Sequence, residues 1–145
     1  MIVWRISEYA DLLGIGGRYA EQRWNYRGTE IVYCSDHPAT CLLELLVQAD
    51  LEDLPDTYQL IEVNIPDTNQ IVEADLPDDW IENRDLTRRL FQEMVDNDAA
   101  PGILRVPCAL VPHARNYLLN PNHPAHGAIS IMSAKRHAFN PRFEP

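Results

Sequence analysis

Gly14-Ile15-Gly16-Gly17, Arg23-Trp24-Asn25, Ile31-Val32-Tyr33-Cys34-Ser35 and Leu42-Leu43-Glu44 succeed one another early in the chain, and their order decides how the rest is read. The stretch gives a glycine loop, an arginine beside a tryptophan, a short buried strand carrying a tyrosine, and a leucine helix holding one acid. Four of the twelve basic residues (Arg5, Arg18, Arg23, Arg27) lie at or before position 27. A cation, an aromatic ring and a carboxylate delivered from consecutive elements suit a nucleotide site. The glycines can bring backbone close to a ligand. Their pattern lacks the lysine of a P-loop and the strand–helix context of a dinucleotide fingerprint, so alone it carries little weight.

Downstream of the strand, Ser35 or Asp36 is placed to cap a helix that Pro38 helps to start. Ala39, Leu42, Leu43 and Leu46 share one face by i, i+3, i+4, i+7 spacing. Glu44 lies roughly 140° around from Ala39, at ~100° per residue, beside Gln48 and near Cys41. It therefore faces away from the leucines, as a solvated glutamate or as part of a cleft wall.

Upstream, Ile2, Trp4 and Ile6 alternate with Val3 and Arg5 as a half-buried first strand. Arg5 is either a surface residue or a cation lining a cleft. Downstream, Tyr58 to Ile65 alternates with Ile61, Val63 and Ile65 on one face, and Pro66 stops it. Ile71-Val72 and Ile103 to Val106 read as short strands, and Leu86, Leu90, Phe91 and Met94 mark a second amphipathic helix. Beyond Pro112 the chain is punctuated by prolines, with Ile129-Ser130-Ile131 as a last strand. The expectation is one α+β domain over residues 1–145 with short strands dominant.

The 145 residues are 46% apolar, enough for a core without metal or disulfide staples. No apolar run reaches the ~18 residues of a membrane span, and the N-terminus lacks a signal-peptide pattern. Three widely spaced cysteines (Cys34, Cys41, Cys108) without a CxxC fit reduced thiols in a cytoplasm. The formal charge of −10 argues against direct nucleic-acid binding. Sixteen acids against three arginines give −13 between Glu44 and Asp98, and the remainder carries +3. That acidic middle is either solvated surface or a docking face for a basic partner.

Cys108 has His113 five residues on, but adjacency in sequence does not make an activated nucleophile. The spacing of His113, His123, His126 and Cys108 matches no standard zinc site.

Trp4-Arg5-Ile6, Gly16-Gly17, Arg23-Trp24-Asn25, Val32-Tyr33-x-Ser35, Leu42-Leu43-Glu44, Val106-Pro107-Cys108-Ala109 and Asn116-Tyr117-Leu118-Leu119-Asn120-Pro121 resemble, in this order, the RES-domain toxins of bacterial toxin–antitoxin pairs. Asn140-Pro141-Arg142 resembles the family's ending. The resemblance implies a compact α+β fold related to ADP-ribosyltransferases and an activity that destroys NAD in the cytoplasm. It implies an Xre-type helix-turn-helix antitoxin as partner and is compatible with a homodimer within that complex. By motif position the family's catalytic arginine, tyrosine and glutamate fall on Arg23, Tyr33 and Glu44. Arg5, Gly16, Gly17, Trp24, Asn25, Cys108 and Asn116 are then expected to bind the substrate. Cys108 departs from the family's serine, and Gln22 stands where a glycine is usual.

The chemistry agrees with the resemblance. An arginine fork binds a pyrophosphate bidentately, and against a net charge of −10 a local arginine cluster is required. Tyr33 offers a platform for the nicotinamide ring. Breaking the nicotinamide–ribose bond builds an oxocarbenium-like cation that a carboxylate stabilises. Nicotinamide leaves without a strong acid, so NAD enters as substrate and no metal or further cofactor is expected. Release to water makes the protein an NAD glycohydrolase; transfer of ADP-ribose to phosphate or to a protein is the enzymatic alternative. A non-catalytic acidic partner-binding module is the alternative of another class.

Overall fold

A computed structural model describes residues 1–143, apart from the side chain of Leu51. Among them seven strands form one mixed sheet: β1 (Ile2–Ile6), β2 (Val32–Ser35), β3 (Thr57–Asn64), β4 (Ile71–Glu73), β5 (Ile103–Pro107), β6 (Arg115–Leu119) and β7 (Ser130–Ala138). Their spatial order is β4-β5-β6-β2-β1-β3-β7. Of the neighbouring pairs β4–β5 is parallel and the others are antiparallel. A parallel pair needs a long crossover, and the chain between β4 and β5 supplies it with a helix. That helix is α2 (Arg84–Asp96); α1 (Pro38–Gln48) comes directly after β2. The expected α+β class holds.

Successive side chains of a strand point to opposite faces, and here both faces are covered over the inner strands. One core gathers Val3, Val32, Ile61, Val63, Ile103 and Leu119. The other gathers Trp24, Leu104, Val106 and Leu118 under Phe91 and Met94 of α2. Leu118 and Leu119, adjacent in β6, are each 0% exposed.

Double coverage of the inner strands explains some of the places where the local patterns differ from the outcome. In β1 the fully buried residue is Val3, while Ile2 is exposed. The Arg115–Leu119 run forms the interior strand β6, and β7 extends over nine residues rather than the three at Ile129–Ile131. The cap of α1 is His37, whose Nδ1 accepts from Ala39 N, rather than Ser35 or Asp36. Asp36 instead accepts from Thr40 Oγ1 and from Arg115 N.

The leucine stripe of α1 is also corrected, because Ala39 and Leu43 are exposed while Thr40 and Cys41 are buried. The helix rests on β1 and β2 through Cys41, whose thiol donates to the Trp4 carbonyl at 3.0 Å. This turns the Cys41–Glu44–Leu45–Gln48 side, spaced i, i+3, i+4, i+7, toward a cleft. Of the two readings of Glu44, the cleft wall is the observed one.

Candidate active site

The site is built on the loop between β1 and β2. Gly14 has φ +67°, and a Cβ there would lie 2.8 Å from Ile31 N. A Cβ on Gly17 would lie 2.0 Å from the Thr29 carbonyl oxygen. The glycines let the loop lie directly against the segment leading into β2.

Asn25 locks the far end of this loop. It is 1% exposed, and its Nδ2 donates to the carbonyls of Ala20 (2.9 Å) and Tyr26 (3.1 Å), with a longer contact to Gly17 O (3.5 Å). Carbonyls around one end of the amide fix its orientation, so Oδ1 faces Tyr33 and accepts the phenol hydrogen at 2.6 Å. Burial pushes the Tyr33 phenol well above its ordinary value. Tyr33 is thus a neutral ring with its proton already committed.

Helix α2 grips the same loop from the other side. Thr87, fully buried, donates its hydroxyl to the Arg23 carbonyl, and Arg88 Nε donates to the Gln22 carbonyl at 2.7 Å. Arg88 also pairs with Glu21 at 3.0 Å. The Arg23 side chain is held in turn: Nη1 donates to Ile81 O at 2.7 Å, and the guanidinium carbon lies 5.7 Å from the centroid of Trp80. Trp80 packs against Trp24 with ring centroids 5.9 Å apart.

Opposite stands the carboxylate of Glu44. Its Oε1 accepts from Asn116 Nδ2 at 3.0 Å and from the Cys108 thiol at 3.2 Å. Asn116 Oδ1 accepts from Ser35 Oγ at 2.7 Å, a bond set by the register that places Ser35 opposite Asn116 between β2 and β6. Glu44 Oε2 has no hydrogen-bond partner among the described residues, which leaves one oxygen for a ligand.

These walls enclose a cleft of about 460 Å³. Arg23, Tyr33 and Glu44 all line it, as do Arg5, Trp24 and Asn116. Four expected substrate contacts are placed elsewhere. Asn25 is buried behind Tyr33 with its amide consumed. Cys108 stands behind Glu44. Gly17 packs under Thr29, and Gly16 is exposed outside the cleft lining. The glycine loop shapes the site and does not line it.

Burial raises the Cys108 thiol above its ordinary value, and also pushes Cys41 to about 11 and Cys34 to about 12. At neutral pH all three are thiols, and Cys108 donates to Glu44 rather than meeting His113 as a base. Ser35 and Arg84 are among the cleft residues that were not expected site residues. Ser35 orients Asn116, and Arg84, the first residue of α2, faces the cleft from the wall that holds Arg23.

The RES domain profile matches residues 2–140. The chain is a RES-domain protein. It is 42% identical over 135 residues to "Toxin Res" of Pseudomonas putida, covering 91% of this chain and 92% of that one. It is 29% identical over 151 residues to the "Prs ADP-ribosylating toxin" of Sphingobium sp., covering 96% and 94%. Its fold resembles a chain of the crystallised M. tuberculosis MbcT–MbcA toxin–antitoxin complex, with a TM-score of 0.72 at 14% identity over 94% of this chain and 84% of that one. No helix among the described residues of this RES-domain protein is long and apolar enough to cross a membrane.

Proposed function

We propose that this RES-domain protein is the toxin of a toxin–antitoxin pair and that it depletes cytoplasmic NAD by cleaving the nicotinamide–ribose bond. The observation that carries this reading is the cleft itself, where Arg23, Tyr33 and a Glu44 carboxylate with one unengaged oxygen face a single cavity. Relatives named as toxins, one of them ADP-ribosylating, support it.

The chemistry comes from the groups present. Arg23 takes the pyrophosphate, which the negative chain would otherwise repel. The Tyr33 ring supports the nicotinamide. As the C1′–N bond breaks, its electron pair leaves with nicotinamide and neutralises the pyridinium. Positive charge then develops on the ribose ring, where Glu44 stabilises it while Oε2 holds a ribose hydroxyl. Asn116 and Cys108 on Oε1 keep the carboxylate aimed. Water closes the reaction at C1′, giving ADP-ribose and a proton. A protein acceptor is the second reading, favoured by the name of the Sphingobium relative.

An antitoxin of Xre type is the proposed partner. It would cover the arginine-lined mouth with an anionic end and meet the acidic 44–98 stretch with its basic surface.

Incubating the purified protein with NAD, with and without phosphate, and identifying products by mass tests the reading. Free nicotinamide and ADP-ribose are expected. ADP-ribose 1″-phosphate or modified protein would move the assignment to a transferase, and intact NAD would remove the activity.

A further inference from the structure

Helix α2 does more than clamp the loop that carries Arg23. Its first residue, Arg84, lines the cleft beside Arg23, sixty-one positions away in sequence. The two guanidiniums are poorly neutralised. Arg23 has one nitrogen on a backbone carbonyl and its flat face toward Trp80. Arg84 has no ion pair and no side-chain hydrogen bond among the described residues. Of the nearby acids, Glu21 pairs with Arg88 and Asp85 accepts from the Tyr26 hydroxyl, while Glu44 faces Arg23 across the cleft and forms no salt bridge with it among the described residues.

We infer that Arg84 is a second substrate-binding residue, forming with Arg23 a two-arginine clamp for a pyrophosphate-bearing ligand. The inference rests on the reading in which Arg23 faces the NAD pyrophosphate, and it adds a residue the family motifs do not contain. Two like charges on one wall raise the free energy of the empty site, and a dianion between them removes that cost. Burial first, and the Arg84 charge second, depress the Arg23 guanidinium below its ordinary value, so the two cations stand close enough to feel each other. Each guanidinium can take one phosphate bidentately. The first turn of a thirteen-residue helix adds partial positive charge on the same side. The clamp also sets direction. With the phosphates on the Arg23–Arg84 wall and the ribose at Glu44, the nicotinamide end extends toward Tyr33.

Calorimetry with inorganic pyrophosphate, ADP-ribose and nicotinamide separates the clamp from the rest of the cleft. Arg84→Ala removes an exposed side chain without partners among the described residues, so the fold is retained. It should weaken pyrophosphate and ADP-ribose about tenfold or more, the usual scale of a lost charge-assisted bond, and leave nicotinamide unchanged. Arg84→Glu should weaken both anions further, and Arg84→Lys should recover only part. Wild-type affinity for pyrophosphate in Arg84→Ala, or a wild-type protein that binds no pyrophosphate, overturns the clamp. Clamp behaviour toward pyrophosphate in a protein that leaves NAD intact would retain the clamp and reject the proposed activity.

Discussion

Replacing Asn25 should damage both the fold and the site, and the size of the effect can be worked from its bonds. In Asn25→Ala the carbonyls of Ala20 and Tyr26 lose donors at 2.9 and 3.1 Å, and the Tyr33 hydroxyl loses its acceptor at 2.6 Å. The 3.5 Å contact to Gly17 O is too long to count. Each group left without a partner costs about 1–3 kcal/mol, and water can reach the partly buried carbonyls, so the low end applies to them. The sum is about 3–5 kcal/mol, a large share of the ~5–15 kcal/mol that holds a domain together. At about 2–4 °C per kcal/mol for a chain of this size, the melting temperature should fall by roughly 10 °C. Differential scanning calorimetry measures this directly. Asn25→Asp supplies a second check. It keeps an acceptor for Tyr33 but sets a carboxylate against two carbonyls, which raises its folded-state pKa above the unfolded value. The penalty is then full at neutral pH and is lost as pH falls, because the protonated acid can donate to Ala20 O. A melting temperature of Asn25→Ala within 2 °C of wild type, or an Asn25→Asp deficit that grows in acid, would refute the reasoning.

Gly17→Ala should unfold or strongly destabilise the protein, since its Cβ would sit 2.0 Å from a backbone oxygen, whereas Gly16→Ala meets nothing within 4 Å and should melt like wild type. Equal melting curves for the two variants would contradict the packing role of the loop. Cys108→Ser should retain the fold and keep or raise NAD turnover, because a hydroxyl is the better donor to Glu44, and a loss beyond tenfold in steady-state assays would show that the thiol matters for another reason. Cys41 and Cys34 have folded-state values raised to about 11 and about 12, so the stability they hold is complete below pH ~9 and drains as pH rises toward 11–12. Denaturant titrations from pH ~9 to ~10, before the raised Tyr33 phenol adds to the effect, should therefore show a decline of up to about 1.4 kcal/mol per pH unit for each buried thiol. Cys41→Ala should make that slope shallower, and a flat alkaline profile would contradict the buried-thiol assignment.

How much was legible in the chain depended on how local each signal was. Tyr58–Ile65 declared its face because Ile61, Val63 and Ile65 alternate in a strand with one dominant apolar side. Phe91 and Met94 declared the buried side of α2 for the same reason. Strand β6 did not, because Tyr117, Leu118 and Leu119 serve both cores and so show no alternation. In α1 the apolar stripe misled, since the helix packs through a thiol and leaves Leu43 and Val47 exposed. Arg23, Tyr33 and Glu44 were placed by motif resemblance, and the fold brings them to one cleft. The roles of Asn25 and Gly17 could not be read locally, as each depends on backbone oxygens from other parts of the loop. Arg84 carries no local sign at all; only the packing of α2 against the Arg23 loop makes it a cleft residue.

The central claim is that the carboxylate of Glu44 serves the breaking of the nicotinamide–ribose bond. Glu44→Gln keeps the side chain's shape and its Oε1 acceptor for Asn116 and Cys108, so the melting temperature should change little. The substitution removes the negative charge facing the developing cation. The rate of nicotinamide release from NAD, measured for wild type and Glu44→Gln at equal concentration, should differ by at least ~10²-fold. Equal rates in a folded variant would contradict the account.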